Sequence, residues 1–472
     1  MAMGRRKRDR QKRLWVPAGA VAQSPGHPFY ERLNELLDEA GFDEHVEALC
    51  SKFYADRMGR PSLAPAVYFR LQLIGYFERI DSERGIGWRV ADSLALRQFL
   101  GYELQQSTPD HSTISRTRRL IDLETHREVF VWVLGVLAKH DLLKGKTLGV
   151  DSTTLEANAA LRSIVRRDTG QGYEEFLSAL AQESGIDTPT RQQLAKLDRK
   201  RKGKGSNDDW QNPHDPDATI TKMKDGRTHL AHGADQVVDM ETTAVVAVNV
   251  SSAIAGDTQT VQESYELAVQ NLKSVRQDPE ANEHLSQQLA RELVADKGFH
   301  SNDVLSWMQQ LGVRTYISEP DRGGRRWKGK PEAQRATYEN RRRMKRAKGQ
   351  RLQRQRGERL ERNFANQYPA GGMRRAHLRG RCNILKRILV HVAAGNLGLV
   401  MRQQLGAGTP RGLQGRLAST VAGSLRAIAR LWALADANVR AEVSTGPYSL
   451  SLRRHLAAAL IGRPQLTSAT AC

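Results

Sequence analysis

From Pro28 to about Leu143 the apolar positions recur at helical spacing. Tyr30, Leu33, Leu36 and Leu37 form one such set; Val67, Leu71, Leu73 and Ile74 form another, with Tyr76 and Phe77 behind them. The pattern predicts a helical region over residues 28–145, punctuated at Gly59 and Pro61. Within it, Ser107-Thr108-Pro109-Asp110-His111-Ser112-Thr113-Ile114-Ser115-Arg116 leads into Arg118 and Arg119. Pro109 suits a first helical turn and Ser112 a cap. A helix loaded with arginines behind small hydroxyl residues suits a phosphate backbone or a major groove, and equally an ordinary solvated face.

At Lys146 the period changes. Thr147-Leu148-Gly149-Val150-Asp151 reads as a short buried strand ending in an acid. Residues 162–225 are polar, with one helix expected at 173–181, and read as an insertion or long loop. Strands are expected at 228–238 and 242–250, joined by a tight turn at Asp239-Met240-Glu241. Helices are expected at 258–274 and beyond, then the strand Leu293-Val294-Ala295-Asp296, a helix at 302–311 and a strand at 313–317. The order β-β-β-α-β-α-β-α describes a sheet of mixed strand direction, the order that the ribonuclease H-like fold uses.

Charge narrows the partner. The 472 residues include 73 Lys and Arg against 52 Asp and Glu, a net +21, which points to a polyanion. Over half of that excess lies between Asp321 and Arg362, where 17 basic residues meet five acids. Residues 1–13 add Arg5, Arg6, Lys7 and four more cations to a single acid, as a solvated tail or a DNA-contacting arm. A membrane is disfavoured: the most apolar stretch, 384–401, contains Lys386, Arg387 and His391. Leu14-Trp15-Val16 gives way to Pro17, so no secretory signal is expected. Cys50, Cys382 and Cys472 are too dispersed for a disulfide framework or a zinc cluster, and the chain is expected to be cytoplasmic and nucleoid-associated.

Two expected strands thus end alike, in Asp151 and Asp296. An acid at the carboxyl end of a buried strand is costly to desolvate unless a cation or hydrogen-bond donors neutralise it. Neighbouring acids of this kind would suit a hard divalent cation, which takes oxygen ligands. Either Asp alone could instead cap the turn after its strand. Glu358 and Glu361 close the basic segment, as surface ion-pair residues or as a further ligand beside phosphate-gripping arginines.

These segments resemble the DDE transposases of bacterial insertion sequences, over about residues 54–402. Gly59-Arg60-Pro61-Ser62, Ser82-Glu83-Arg84 and Pro109-Asp110-His111-Ser112-Thr113 are similar to the helical domain at the amino end of that family. Val150-Asp151-Ser152-Thr153 resembles its first catalytic strand, and Ala295-Asp296-Lys297-Gly298-Phe299 its second acid motif. Glu361-Arg362-Asn363-Phe364 resembles its third acid motif, and Gly372-Met373-Arg374-Arg375 and Arg379-Gly380-Arg381-Cys382-Asn383 the segment behind that acid. Where the family often reads Tyr-x2-Arg-x3-Glu-x6-Lys, counting from Glu361 gives Arg354, Gly357 and Tyr368. Counting from Glu358 puts Arg354 in the second place but loses the aromatic residue three places after the acid, so Phe364 favours Glu361.

The resemblance implies an α+β multidomain protein. A basic arm (1–27) and a helical DNA-binding domain (28–145) would precede a ribonuclease H-like mixed-sheet α/β catalytic domain (146–402) with an insertion, and a helical or partly disordered C-terminal region (403–472) would come last. It implies that Asp151, Asp296 and Glu361 bind two Mg²⁺ (or Mn²⁺) and cut and join double-stranded DNA at transposon ends, as a homodimer or higher oligomer. Arg5, Arg6, Lys7, Arg116, Arg118, Arg119, Arg341, Arg342, Arg343, Arg354, Arg356, Arg374 and Arg375 would bind DNA. A nuclease that cuts without joining, and a silent DNA-binding regulator, remain open as alternatives. His229 and His232 are set aside as ligands, since an odd spacing on a strand separates their faces. His300 reads as a helix-start residue and Asp257 as a spare acid or cap. Gly323-Gly324 and Gly371-Gly372 lack the lysine of a nucleotide loop. The apolar face Ile384, Leu385, Ile388, Leu389 and Val392 is core or an oligomer contact.

Overall fold

A computed structural model describes residues 26–413 except 56–58, 60, 61, 104, 201–205, 322, 324, 369, 370 and 374, together with Met3. Arg5, Arg6, Lys7, Arg374, Cys472 and the helices expected after residue 413 lie outside the described residues.

The region from Pro28 to Lys139 is helical, as the spacing predicts: α1 (Pro28–Glu39), α2 (Phe42–Cys50), α3 (Pro65–Phe77), α4 (Glu83–Ala91), α5 (Leu94–Phe99), α6 (His111–Leu120) and α7 (Leu123–Lys139). Their starts are written locally. Prolines open α1 and α3, where the missing N–H costs nothing. Ser82, Ser93, Asp110 and Asp122 cap α4, α5, α6 and α7 by accepting from the backbone three residues on. At α6 the cap is Asp110, not Ser112, and Pro109 lies outside the helix. The Thr113 N–H, 2.8 Å from Asp110 Oδ1, explains the difference: a carboxylate accepts this bond more strongly than a hydroxyl.

The sheet begins with β1 (Thr147–Glu156), which runs five residues past Asp151. Local spacing alone ends the strand at that acid. Antiparallel pairing with the long β5 keeps it extended through Glu156. The polar stretch beyond is not a long loop. It folds into β2 (Val165–Arg166), α8 (Tyr173–Glu183), α9 (Arg191–Lys200) and β3 (Trp210–Gln211), over a small apolar cluster of Ile164, Trp210, Ile220, Leu230 and their neighbours. Next come β4 (Thr219–Lys222), β5 (Thr228–Asp239), β6 (Val245–Ser252), α10 (Asp257–Val275), α11 (Pro279–His284), β7 (Glu292–Ala295), α12 (Asn302–Gln310) and β8 (Arg314–Ile317). The strands pair in the order β4-β5-β1-β7-β8, and β6 also pairs with β5. The β1–β7 and β7–β8 pairs are parallel; β5 is antiparallel to β1, β4 and β6. The architecture is α+β with a mixed sheet behind a helical amino end.

Three helices complete the unit: α13 (Pro331–Lys345), α14 (Ala347–Gln367) and α15 (Arg381–Leu405). Helix α15 ties the helical half to the sheet. Ile384, Leu385, Ile388, Leu389 and Val392 are buried core. Lys386 Nζ donates to Arg118 O and Ile121 O (3.2 and 2.7 Å), and Asn396 pairs with both backbone groups of Val245 (2.9 and 2.8 Å). The described residues from Gly26 to Pro410 form one compact unit. By length and composition this last helix could cross a membrane, but 89% of its apolar window is buried inside the protein.

Candidate active site

Gly149 on β1 lies opposite Val294 on β7 in the parallel register. Two residues further on come Asp151, still on β1, and Asp296, the first residue past β7, near enough for its charge to act on Asp151. Asp296 is held in place by its own turn, its Oδ1 accepting from Gly298 N at 2.8 Å.

Asp257, at the start of α10, joins them. The point that a Cβ on Gly298 would occupy lies 2.3 Å from Asp257 Oδ2 and 3.1 Å from Asp296 Oδ1. Only a residue without a side chain lets the two carboxylates face each other there. Behind them, buried Asp235 accepts from Ser152 Oγ (2.7 Å) and Ser264 Oγ (3.0 Å). Sequence reasoning makes Asp257 no more than a spare acid. The strand-end rule does not reach it, because it lies five residues past β6, at the start of α10, whereas Asp296 directly follows β7.

The electrostatics of the cluster are those of carboxylates short of cations. Burial raises the Asp151 carboxyl above its ordinary value, with Asp296 and Asp257 adding repulsion; Arg356 and the Ser152 N–H oppose the shift. Burial also raises Asp257, with Asp296 and Asp235 contributing, against the Ser152 hydroxyl.

One face of α14 lies along these strands. Lys348 Nζ meets Glu292 Oε1 at 2.5 Å. Gln353 Nε2 donates to Ala295 O (2.9 Å) and Tyr316 O (2.6 Å), bridging the ends of β7 and β8. Arg356 Nη1 reaches Asp151 Oδ2 at 3.1 Å, Leu360 packs over Gly149, and Asn363 donates to Thr243 O at 3.0 Å. The expected third acid is elsewhere on the helix. Glu361 lies five residues after Arg356, about 140° around the axis, and is exposed. Glu358 is exposed too and pairs with Arg362 at 2.7 Å. Among the described residues no three His, Cys, Asp or Glu side chains are gathered closely enough to hold a metal ion as they stand.

The expected DNA-contacting cations divide. Arg116, Arg119, Arg342, Arg354 and Arg375 are exposed. Arg118 is buried, engaged by Glu83 (2.7 Å) and Asn383 (2.7 Å), so it braces the fold and does not face solvent. Arg341 is forked onto Glu319 (2.6 and 2.8 Å), and Arg343 donates to the backbone and hydroxyl of Thr315 (3.0 and 3.1 Å). His229 and His232 part as the strand period requires, the first to Asp225 (2.8 Å), the second, buried, to Asp215 (3.1 Å). His300 is buried near Glu319.

Comparison with known proteins gives one family. Residues 20–120, spanning α1 to α6, match the family model described as Transposase domain (DUF772). No curated protein and no solved structure matches the chain.

Proposed function

The chain carries a transposase domain of the insertion-sequence type, and from that premise we propose that it is a DDE transposase. It would bind the terminal inverted repeats of its element as a homodimer or larger assembly, then cut and join DNA strands in a ribonuclease H-like catalytic domain. The observation that carries this reading is the proximity of Asp151 on β1 and Asp296 just past the end of its parallel neighbour β7, close enough for each charge to act on the other, in a basic protein.

Asp151 and Asp296 fit a pair of divalent cations: their donors are hard oxygens, they converge, and Asp151 bears a burial penalty that a cation would relieve. Glu361, exposed on α14 and outside the carboxylate cluster as it stands, is proposed as the third ligand. Two Mg²⁺ or Mn²⁺ bound there would activate an attacking oxygen and stabilise the leaving one in an in-line displacement. The rest falls to the protein. Gly298 gives the Asp257 and Asp296 carboxylates room, and Gln353 fixes α14 across the strand ends. Arg356 opposes the upward shift that burial gives the Asp151 carboxyl. Exposed arginines of α13 and α14, Arg342 and Arg354 among them, would neutralise backbone phosphates beside the reacting one.

The test is a labelled duplex bearing the element's terminal repeats, incubated with protein and Mg²⁺. Joined products support the reading. Nicks alone reduce it to a nuclease, and binding without cleavage reduces it to a regulator. Binding should weaken steeply with salt, as many phosphate contacts require.

A further inference from the structure

Three segments that resemble transposase motifs take no part in the carboxylate site, yet the fold brings them together. Ser82-Glu83-Arg84, His111 and the stretch around Met373 and His377 line one cavity of about 470 Å³, with Asn158 just past β1 and Arg387 from α15. Met373 and Arg387 are buried, whereas Arg84, His111 and His377 are exposed at its mouth.

Arg387 is the unusual member. It is 5% exposed and pairs with no carboxylate among the described residues. Its guanidinium donates to Gln72 Oε1 and to Ile80 O (2.9 Å), and its Nε has no hydrogen-bond partner among the described residues. A buried cation with no direct ion pair, influenced by Glu83 and Asp81 only from a distance, is costly, and an acceptor-rich ligand would offset that cost. The acids of the wall are already engaged: Glu83 by Arg118 at 2.7 Å and Asp81 by His377 at 2.9 Å. What remains is positive at the floor (Arg387) and at the mouth (Arg84). Asn158 donates its amide to His377 O at 3.1 Å, leaving its Oδ1 without a partner among the described residues. An apolar wall, a polar edge and cations at both ends match a nucleotide, whose flat base needs the first two and whose phosphate needs the third.

The cavity is also within reach of the acids. Asn158 is seven residues beyond Asp151, so the two are separated by no more than about 25 Å. A duplex advancing about 3.4 Å per step covers that span in about seven steps.

We propose that this cavity holds one unpaired nucleotide of the bound DNA strand, its base against Met373 and its phosphate toward Arg84, within about seven steps of the reacting phosphate. The proposal rests on the DNA partner of the transposase reading, not on its metal chemistry.

The experiment uses the full chain in EDTA and follows the anisotropy of three labelled DNAs. These are a blunt duplex, the same duplex with a seven-nucleotide single-stranded extension, and that extension with abasic residues throughout. The base-bearing extension should bind about tenfold tighter than the abasic one. His111→Ala, at the exposed mouth, and Met373→Ala should each shrink that difference to about twofold or less, with folding checked by thermal melting. Equal affinity for the two extensions overturns the proposal, and so does a difference that survives both variants. Saturable binding of free dAMP, lost in the same variants and without any preference for the extension, assigns the cavity to a mononucleotide and also overturns it. Failure to bind any of the three DNAs overturns this proposal and the transposase reading together, so it is distinguishable from a loss of base discrimination alone.

Discussion

Arg356 Nη1 sits 3.1 Å from Asp151 Oδ2, a guanidinium from α14 placed on a half-buried acid of β1. The contact joins the most basic segment of the chain to its sheet, and it opposes the upward shift that burial gives Asp151. Removing the arginine therefore leaves Asp151 harder to ionise. In Arg356→Gln, the acid limb of metal-dependent cleavage should move to higher pH. The sign is set by Asp151 being active only as the carboxylate: activity is lost as pH falls through its raised value. A rate profile between pH 5 and 8 checks this, and an unchanged acid limb would separate Arg356 from the reacting acid.

The two aspartates should be indispensable to chemistry and dispensable for binding. Asp151→Asn and Asp296→Asn are each expected to cut strand cleavage by at least about a hundredfold. DNA affinity, measured by anisotropy, should stay near that of the parent chain. Retained cleavage in either variant would remove that residue from the site.

The third ligand can be located by three substitutions made in parallel. Glu361→Gln is expected to abolish cleavage and Glu358→Gln to spare it. Both side chains are exposed, so neither should shift the melting temperature by more than a degree or two. Asp257→Asn is the control, since its carboxylate faces Asp296 across Gly298. Loss of cleavage in Asp257→Asn with full activity in Glu361→Gln would place the third carboxylate on α10.

Two buried histidines set an acid limit on the fold. Burial lowers His126 to about 3 and His391 to about 3. In the unfolded chain each ionises near pH 6.5. The unfolded state thus binds more protons below that point, and stability falls as pH drops from about 6.5 toward 3. Each histidine contributes up to about 1.4 kcal/mol per pH unit. Melting temperatures at pH 7, 6 and 5 should show the decline, and His391→Gln should make it shallower. A pH-independent melting temperature over that range would contradict the assignment.

Much of this arrangement is legible in the sequence. The helical period of residues 28–145, the strand–helix order from Thr147 to Ile317 and the strand-end position of Asp296 all come from local apolar spacing. What escapes is non-local. Spacing ends the first strand at Asp151, but β1 continues because β5 supplies partners as far as Glu156. Residues 162–225 read as an insertion or long loop with one helix, yet Trp210 joins Ile164, Ile220 and Leu230 in a small core that orders more of the segment. Arg118 counts as a DNA contact by its basic neighbours, although Glu83 and Asn383, far away in sequence, bury it. Asp257 reads as no more than a spare acid or cap because its place beside Asp296 depends on Gly298, far along the chain, which has no side chain to keep the two acids apart.

The central claim is that Asp151 and Asp296 catalyse both the cutting and the joining of DNA. The most direct measurement tracks a labelled duplex carrying the terminal repeats, with the parent chain and Asp151→Asn, in Mg²⁺ and in EDTA. Nicked and then joined products are expected for the parent chain in Mg²⁺, and neither for the variant or in EDTA. Joined products from Asp151→Asn, or from the parent chain in EDTA, would contradict the claim.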